Sequence, residues 1–146
     1  MNAQEIISFA RNLKEKYETN NPFLIAKYFG IEVLPRDNQI KGFLAQTIKI
    51  DGYPTIISIN SAYTTTSQKV LCAHELGHAL LHENCINHFA TTENNVSLNV
   101  EREANLFAVA LLFDDDIDAR LSIPLADMNN YLLKEILDYN IRLVPV

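Results

Sequence analysis

Residues 70–82 read Val70-Leu71-Cys72-Ala73-His74-Glu75-Leu76-Gly77-His78-Ala79-Leu80-Leu81-His82, and their apolar members fall on more than one side of a helix. Such a pattern predicts a mostly buried helix, so the polar residues inside it carry information. His74 and His78 stand four apart, which stacks their imidazoles on one face and lets both point at one ion. Zinc accepts neutral imidazole nitrogen at about 2.0–2.1 Å, so two such side chains supply half of a tetrahedral site. Glu75 projects about 100° round the helix from His74, too far to share that coordination position comfortably. It is placed instead to take a proton from a water held by the metal, the division of labour of metal-assisted peptide hydrolysis. The competing reading is a pair of core histidines satisfied by neighbouring carbonyls. That reading leaves two imidazoles and a carboxylate within one turn of an apolar helix, which is costly without partners.

A third protein ligand is needed, and His82 is the first candidate by spacing. In a straight helix it lies about 12 Å along the axis from His74, so the three histidines cannot converge on one ion. His82 is expected to support the site, face substrate or play a structural part. A second buried helix is expected over residues 99–113, with Ala104, Phe107, Ala108, Leu111 and Leu112 as its apolar stripe. Within Glu101-Arg102-Glu103-Ala104-Asn105, Glu101 shares a face with Ala104, Asn105 and Ala108, the face expected to pack on the first helix. Glu103 lies about 200° away from Glu101. A Glu101 carboxylate completes two nitrogens and one oxygen and leaves a fourth position for water. Asn105, one turn further, is placed to orient an imidazole from its other nitrogen. Glu103 remains an alternative ligand if the helix is rotated.

Outward from these helices, apolar spacing predicts a helix over residues 3–18. Asn20-Asn21-Pro22 supplies a cap and first-turn proline for a short second helix ending near Phe29-Gly30. Residues 31–34, 42–50 and 55–59 read as strands, the last two joined through Asp51-Gly52 as a hairpin, in a small sheet expected to be antiparallel. Thr65 with Gln68 resembles a capping box for the histidine helix. Residues 84–99 form a polar connection, Asp114 to Asp118 a capping acidic run, 125–139 a last helix and 141–146 a tail or strand. The expected class is α+β: a small antiparallel or mixed sheet packed on the active-site helix, with N-terminal helices. Residues 56–59 are a candidate for pairing with an extended peptide if they lie on a sheet edge beside the helix, the alternative being an ordinary edge or central strand. Tyr63 and Tyr131 are candidate oxyanion donors. Cys72 and Cys85 read as small buried hydrophobes, and His88 as a loop histidine.

Composition bounds the function. The chain has 146 residues, 48% hydrophobic and 21% charged, and is expected to form one domain with a core that needs no disulfide. Twelve basic against eighteen acidic residues give a net charge of −6, which argues against direct nucleic-acid binding because phosphate neutralisation needs a basic face. Two cysteines are too few for a disulfide scaffold. No signal peptide is evident and no apolar run approaches the roughly 18 residues of a membrane span. A cytoplasmic protein without membrane contact is therefore expected.

The run His74 to His82, taken with Glu101-Arg102-Glu103-Ala104-Asn105-Leu106-Phe107-Ala108, resembles the ImmA/IrrE family of metallo-endopeptidases. Asn21-Pro22-Phe23 through Gly30-Ile31 also resembles its N-terminal part. The resemblance implies a minimal gluzincin-like zincin spanning residues 1–146, with Zn2+ held by His74, His78 and Glu101 and Glu75 as the base. It also implies a protein substrate of the repressor type, encoded by a phage or mobile element. Phe113-Asp114-Asp115 departs from the family's usual Met-Pro. The competing class is a zinc-stabilised module that relieves repression by contact rather than cleavage.

Overall fold

Every residue from 70 to 79 is buried because the helix that carries them is covered on both sides. In the computed structural model this helix, α3 (Thr65–Leu81), lies between a four-stranded sheet and α4 (Leu98–Leu112). The structure describes residues 1–37, 43–82, 88–90, 98–139, 141, 142 and 144.

The N-terminal elements follow their local signals. Asn2 caps α1 (Ala3–Tyr17), which buries Ile6, Ile7, Ala10 and Leu13 against α4. Asn21 caps α2 (Pro22–Tyr28) through the Phe23 amide, and the chain leaves that helix through Gly30 at φ 71°.

The strands are β1 (Glu32–Arg36), β2 (Ala45–Ile48), β3 (Ile56–Asn60) and β4 (His88–Ala90), in the order β1-β3-β2-β4. β2 and β3 are antiparallel, joined through a turn with Gly52 at φ 84°. β1 runs parallel to β3, so the sheet is mixed and the antiparallel reading of residues 31–34 is corrected. The hairpin slides β3 in beside β1, which makes β3 an interior strand. It has both edges filled, so of the two readings of residues 56–59 the central strand holds and pairing with an extended peptide is excluded there. β4 pairs antiparallel with β2 and falls inside the stretch taken for a polar connection. Gly42, Cys85 and the side chain of His88 lie outside the described residues.

Three boundaries moved for identifiable reasons. The N-cap of α3 is Thr64, one residue before the expected Thr65; its hydroxyl accepts from Ser67 N, while Gln68 donates to the Tyr63 carbonyl. Residues 125–139 are not one helix: a 3-10 turn at Leu125–Asp127 precedes α5 (Asn130–Asp138), capped by Asn129. The acidic run forms a 3-10 turn at Asp115–Arg120, but Asp114 makes no side-chain cap. Asp115 instead pairs with Lys14 at 2.8 Å and Arg11 at 3.4 Å, tying the end of α4 to α1. Among the described residues, no helix is long and apolar enough to cross a membrane.

The approach of α3 to α4 depends on Gly77. A Cβ there would sit 3.1 Å from both Cα and O of Ala104 and 3.2 Å from Cδ1 of Phe107. Two of these neighbours are backbone and cannot rotate away. Alanine would gain about 1 kcal/mol of helix propensity, but overpacking costs about 1–3 kcal/mol. Gly77→Ala is therefore expected to lower the denaturant midpoint with an unchanged slope; an equal or higher midpoint would contradict the close approach.

Candidate metal centre

Two i, i+4 pairs face each other where α3 meets α4: His74 with His78, and Glu101 with Asn105. All four side chains are buried. The Nε2 atoms of His74 and His78 are 3.2 Å apart. Glu101 Oε2 lies 3.1 Å from His74 Nε2, and its Oε1 lies 3.3 Å from His78 Nε2. Among the described residues these three form the one group of His, Cys, Asp and Glu side chains arranged as a metal site. Donors about 2.0–2.1 Å from a tetrahedral zinc are separated by about 3.3 Å, so the observed spacings fit one divalent cation.

The second nitrogen of each imidazole is also engaged. His74 Nδ1 is 2.7 Å from Asn105 Oδ1, and Asn105 Nδ2 donates to Asn130 Oδ1 at 2.7 Å. Asn105 thus takes the orienting position that its spacing suggested. Asn130 was not singled out in the sequence, because residues 125–139 read as one helix with Asn130 in its interior.

Glu75 is fully buried on the side of α3 that meets the sheet. Alternation along β2 turns Ala45 and Thr47 inward, and the Thr47 hydroxyl donates to Glu75 Oε1 at 2.7 Å. Among the described residues Glu75 Oε2 has no hydrogen-bond partner, and it lies 3.7 Å from His74 Nε2. One oxygen is thereby anchored and the other is turned toward the cluster. Thr47 was overlooked, although a threonine at an inward strand position is a readable signal.

Electrostatics favour a cation at this point. Burial opposes charge on Glu101, but hydrogen bonds to His74 and His78 outweigh it and hold the carboxyl well below the usual range. Burial likewise works against a charged His74, yet Glu101 and Glu75 raise its pKa above the ordinary imidazole value. Burial drives Glu75 up to about 7, against the opposing pull of His74 and the Thr47 hydroxyl. Cys72, beside the site in sequence, is buried and its thiol is pushed far up, so it stays an uncharged core residue.

The remaining candidates lie off the cluster. Glu103 turns to His82, not to the two metal-facing nitrogens. Tyr131 is 70% exposed. Tyr63 is half-buried, and burial raises its hydroxyl pKa.

A mixed sheet over a buried His-Glu-x-x-His helix, with a glutamate on the next helix, defines a small zincin-like α+β domain. The chain belongs to the ImmA/IrrE peptidase family: residues 26–122 match the IrrE N-terminal-like domain, Peptidase_M78. It is similar to "Uncharacterized immunity region protein 2" of Bacillus phage phi105, 38% identical over 108 residues, or 72% of this chain and 66% of that protein. The chain thus spans slightly under two thirds of that relative's length. No solved structure matches it.

Thr47→Val removes the donor to Glu75 Oε1 while keeping the side chain's shape. The Glu75 carboxyl of the metal-free protein is expected to titrate above about 7, followed by carboxyl-carbon NMR. An unshifted or lowered value would show that this hydrogen bond does not stabilise the carboxylate.

Proposed function

We propose that the protein is a zinc-dependent endopeptidase that cleaves a protein regulator, such as the repressor of a phage or mobile element. The observation that carries this reading is the convergence of His74 Nε2, His78 Nε2 and Glu101 on one point, with Glu75 Oε2, unpartnered among the described residues, beside it. Membership of a peptidase family and the likeness to a phage immunity-region protein support the reaction class and the regulatory setting.

The residues divide the work. His74, His78 and Glu101 hold the ion. Zinc held there would supply Lewis acidity toward a scissile carbonyl and an attacking water. Glu75 takes the proton of the attacking water on Oε2 and returns it to the departing amine, while the Thr47 hydroxyl keeps Oε1 fixed. Burial favours this shuttle, because a carboxyl raised from its solution value both accepts and releases a proton near neutral pH. Asn105 holds the His74 ring and leaves its Nε2 facing His78 and Glu101.

Glu75→Gln is expected to retain one equivalent of zinc and to lose cleavage of the co-expressed neighbouring repressor by roughly 10²–10⁴-fold. His74→Ala and His78→Ala are expected to lose the metal itself, read by elemental analysis. Cleavage by Glu75→Gln at the wild-type rate would refute its role as base. Derepression with an intact repressor would favour a module acting by contact.

A further inference from the structure

Two adjacent asparagines open α5, and they do different work. Asn129 is the N-cap: its Oδ1 accepts from the Leu132 amide at 2.9 Å. Asn130, the first residue of the helix, is not needed for capping. Its side chain turns to α4, where Oδ1 accepts from Asn105 Nδ2 at 2.7 Å. Asn105 Oδ1 in turn lies 2.7 Å from His74 Nδ1. One amide is thus held between the ring of a metal-facing histidine and a helix that follows the family's segment, which ends at residue 122.

The place of Asn130 is fixed from both sides. Before it, Arg102, one turn ahead of Asn105 on α4, donates to the carbonyls of Met128 at 2.9 Å and Ala126 at 3.0 Å. After it, Leu133 and Leu137 are buried where α5 packs on α4. Asn105 is only 5% exposed, so without Asn130 its amide has little water to turn to, and a buried polar group without a partner is costly. The two ends of an asparagine amide have nearly the same shape and opposite hydrogen-bonding character. An acceptor at Asn130 selects the orientation that sends the Asn105 nitrogen to α5 and its oxygen to His74. Remove that acceptor and the amide can rotate, so the ring it faces loses a fixed partner.

We propose that Asn130 is a positioning residue of the metal centre: it holds His74 through Asn105, so that the docking of α5 and the binding of a divalent cation support each other. This rests on the metal reading above and extends the centre to a helix outside the family's segment. Coupling of this kind is reciprocal. By whatever factor a docked α5 tightens metal binding, bound metal holds α5 docked by the same factor.

The test uses the full chain. Asn130→Ala is expected to weaken zinc affinity about 10-fold in competition with a chelator, the low end for groups that act behind a ligand. It is also expected to shift the visible bands of the cobalt-loaded protein. The carboxylate of Asn130→Asp only accepts, so this variant is expected to bind zinc at least as tightly as wild type. In the wild type, zinc is expected to slow hydrogen exchange of the α5 amides, relative to those of α1, by the same factor as the affinity loss. That extra slowing is expected to vanish in Asn130→Ala. A residue that merely stabilised α5 would speed its exchange with and without zinc alike, and would leave the affinity and the cobalt bands in place. If Asn130→Ala fails to fold, Asn130→Asp and the zinc dependence of α5 exchange in the wild type decide. Asn130→Ala with wild-type affinity, Asn130→Asp with weakened affinity, or wild-type α5 exchange indifferent to zinc would each overturn the proposal while the metal reading stands. A wild type that holds no stoichiometric zinc would overturn both.

Discussion

Two imidazole nitrogens and a carboxylate aimed at one point between two buried helices are the constraint on which the rest of the structure turns. Groups of this kind are costly to withdraw from water unless something positively charged sits among them. In the metal-free chain a proton serves, which is why His74 is held above and Glu101 below their ordinary pKa values. A divalent cation satisfies the same three groups at once and needs no change in their spacing. The helices must also come close enough for Glu101 to straddle both rings, and the missing Cβ of Gly77 against the Ala104 backbone permits it.

Each working side chain is held from a different element. Asn105 with Asn130 of α5 fixes His74, Thr47 of β2 fixes Glu75, and the turn clamped by Lys49 places His82 behind His78. The 3-10 turn that precedes α5 is tied to α4 as well, through Arg102 and the carbonyls of Ala126 and Met128. Asn130 lies beyond the segment that matches the family, so residues outside that core reach into the centre. A site braced from the sheet and from two helices loses little geometry to motion, the condition for orienting ligands and base together.

What could be read from the sequence followed from periodicity. The i, i+4 spacing of His74 and His78, and of Glu101 and Asn105, fixes which side chains share a face wherever the helices lie, and the structure brings those four together. The caps at Asn21 and the Asp51-Gly52 turn were also legible, because they depend on a few neighbouring residues. Strand order was not. Nothing local distinguishes a β1 that lies parallel to β3 from one that pairs antiparallel, since the choice is made by how β1, following α2, comes to lie along β3. β4 was hidden within an asparagine-rich stretch with weak strand propensity. The sequence left the part played by His82 open between support, substrate and structure; the structure sets its ring against that of His78, one turn before it.

X-ray absorption at the zinc edge of the purified protein addresses the central claim most directly. The account predicts one zinc per chain with two imidazole nitrogens and two oxygens, all about 2.0–2.2 Å away and with no sulfur. A sulfur neighbour near 2.3 Å, a single imidazole, or six water-like oxygens would contradict it.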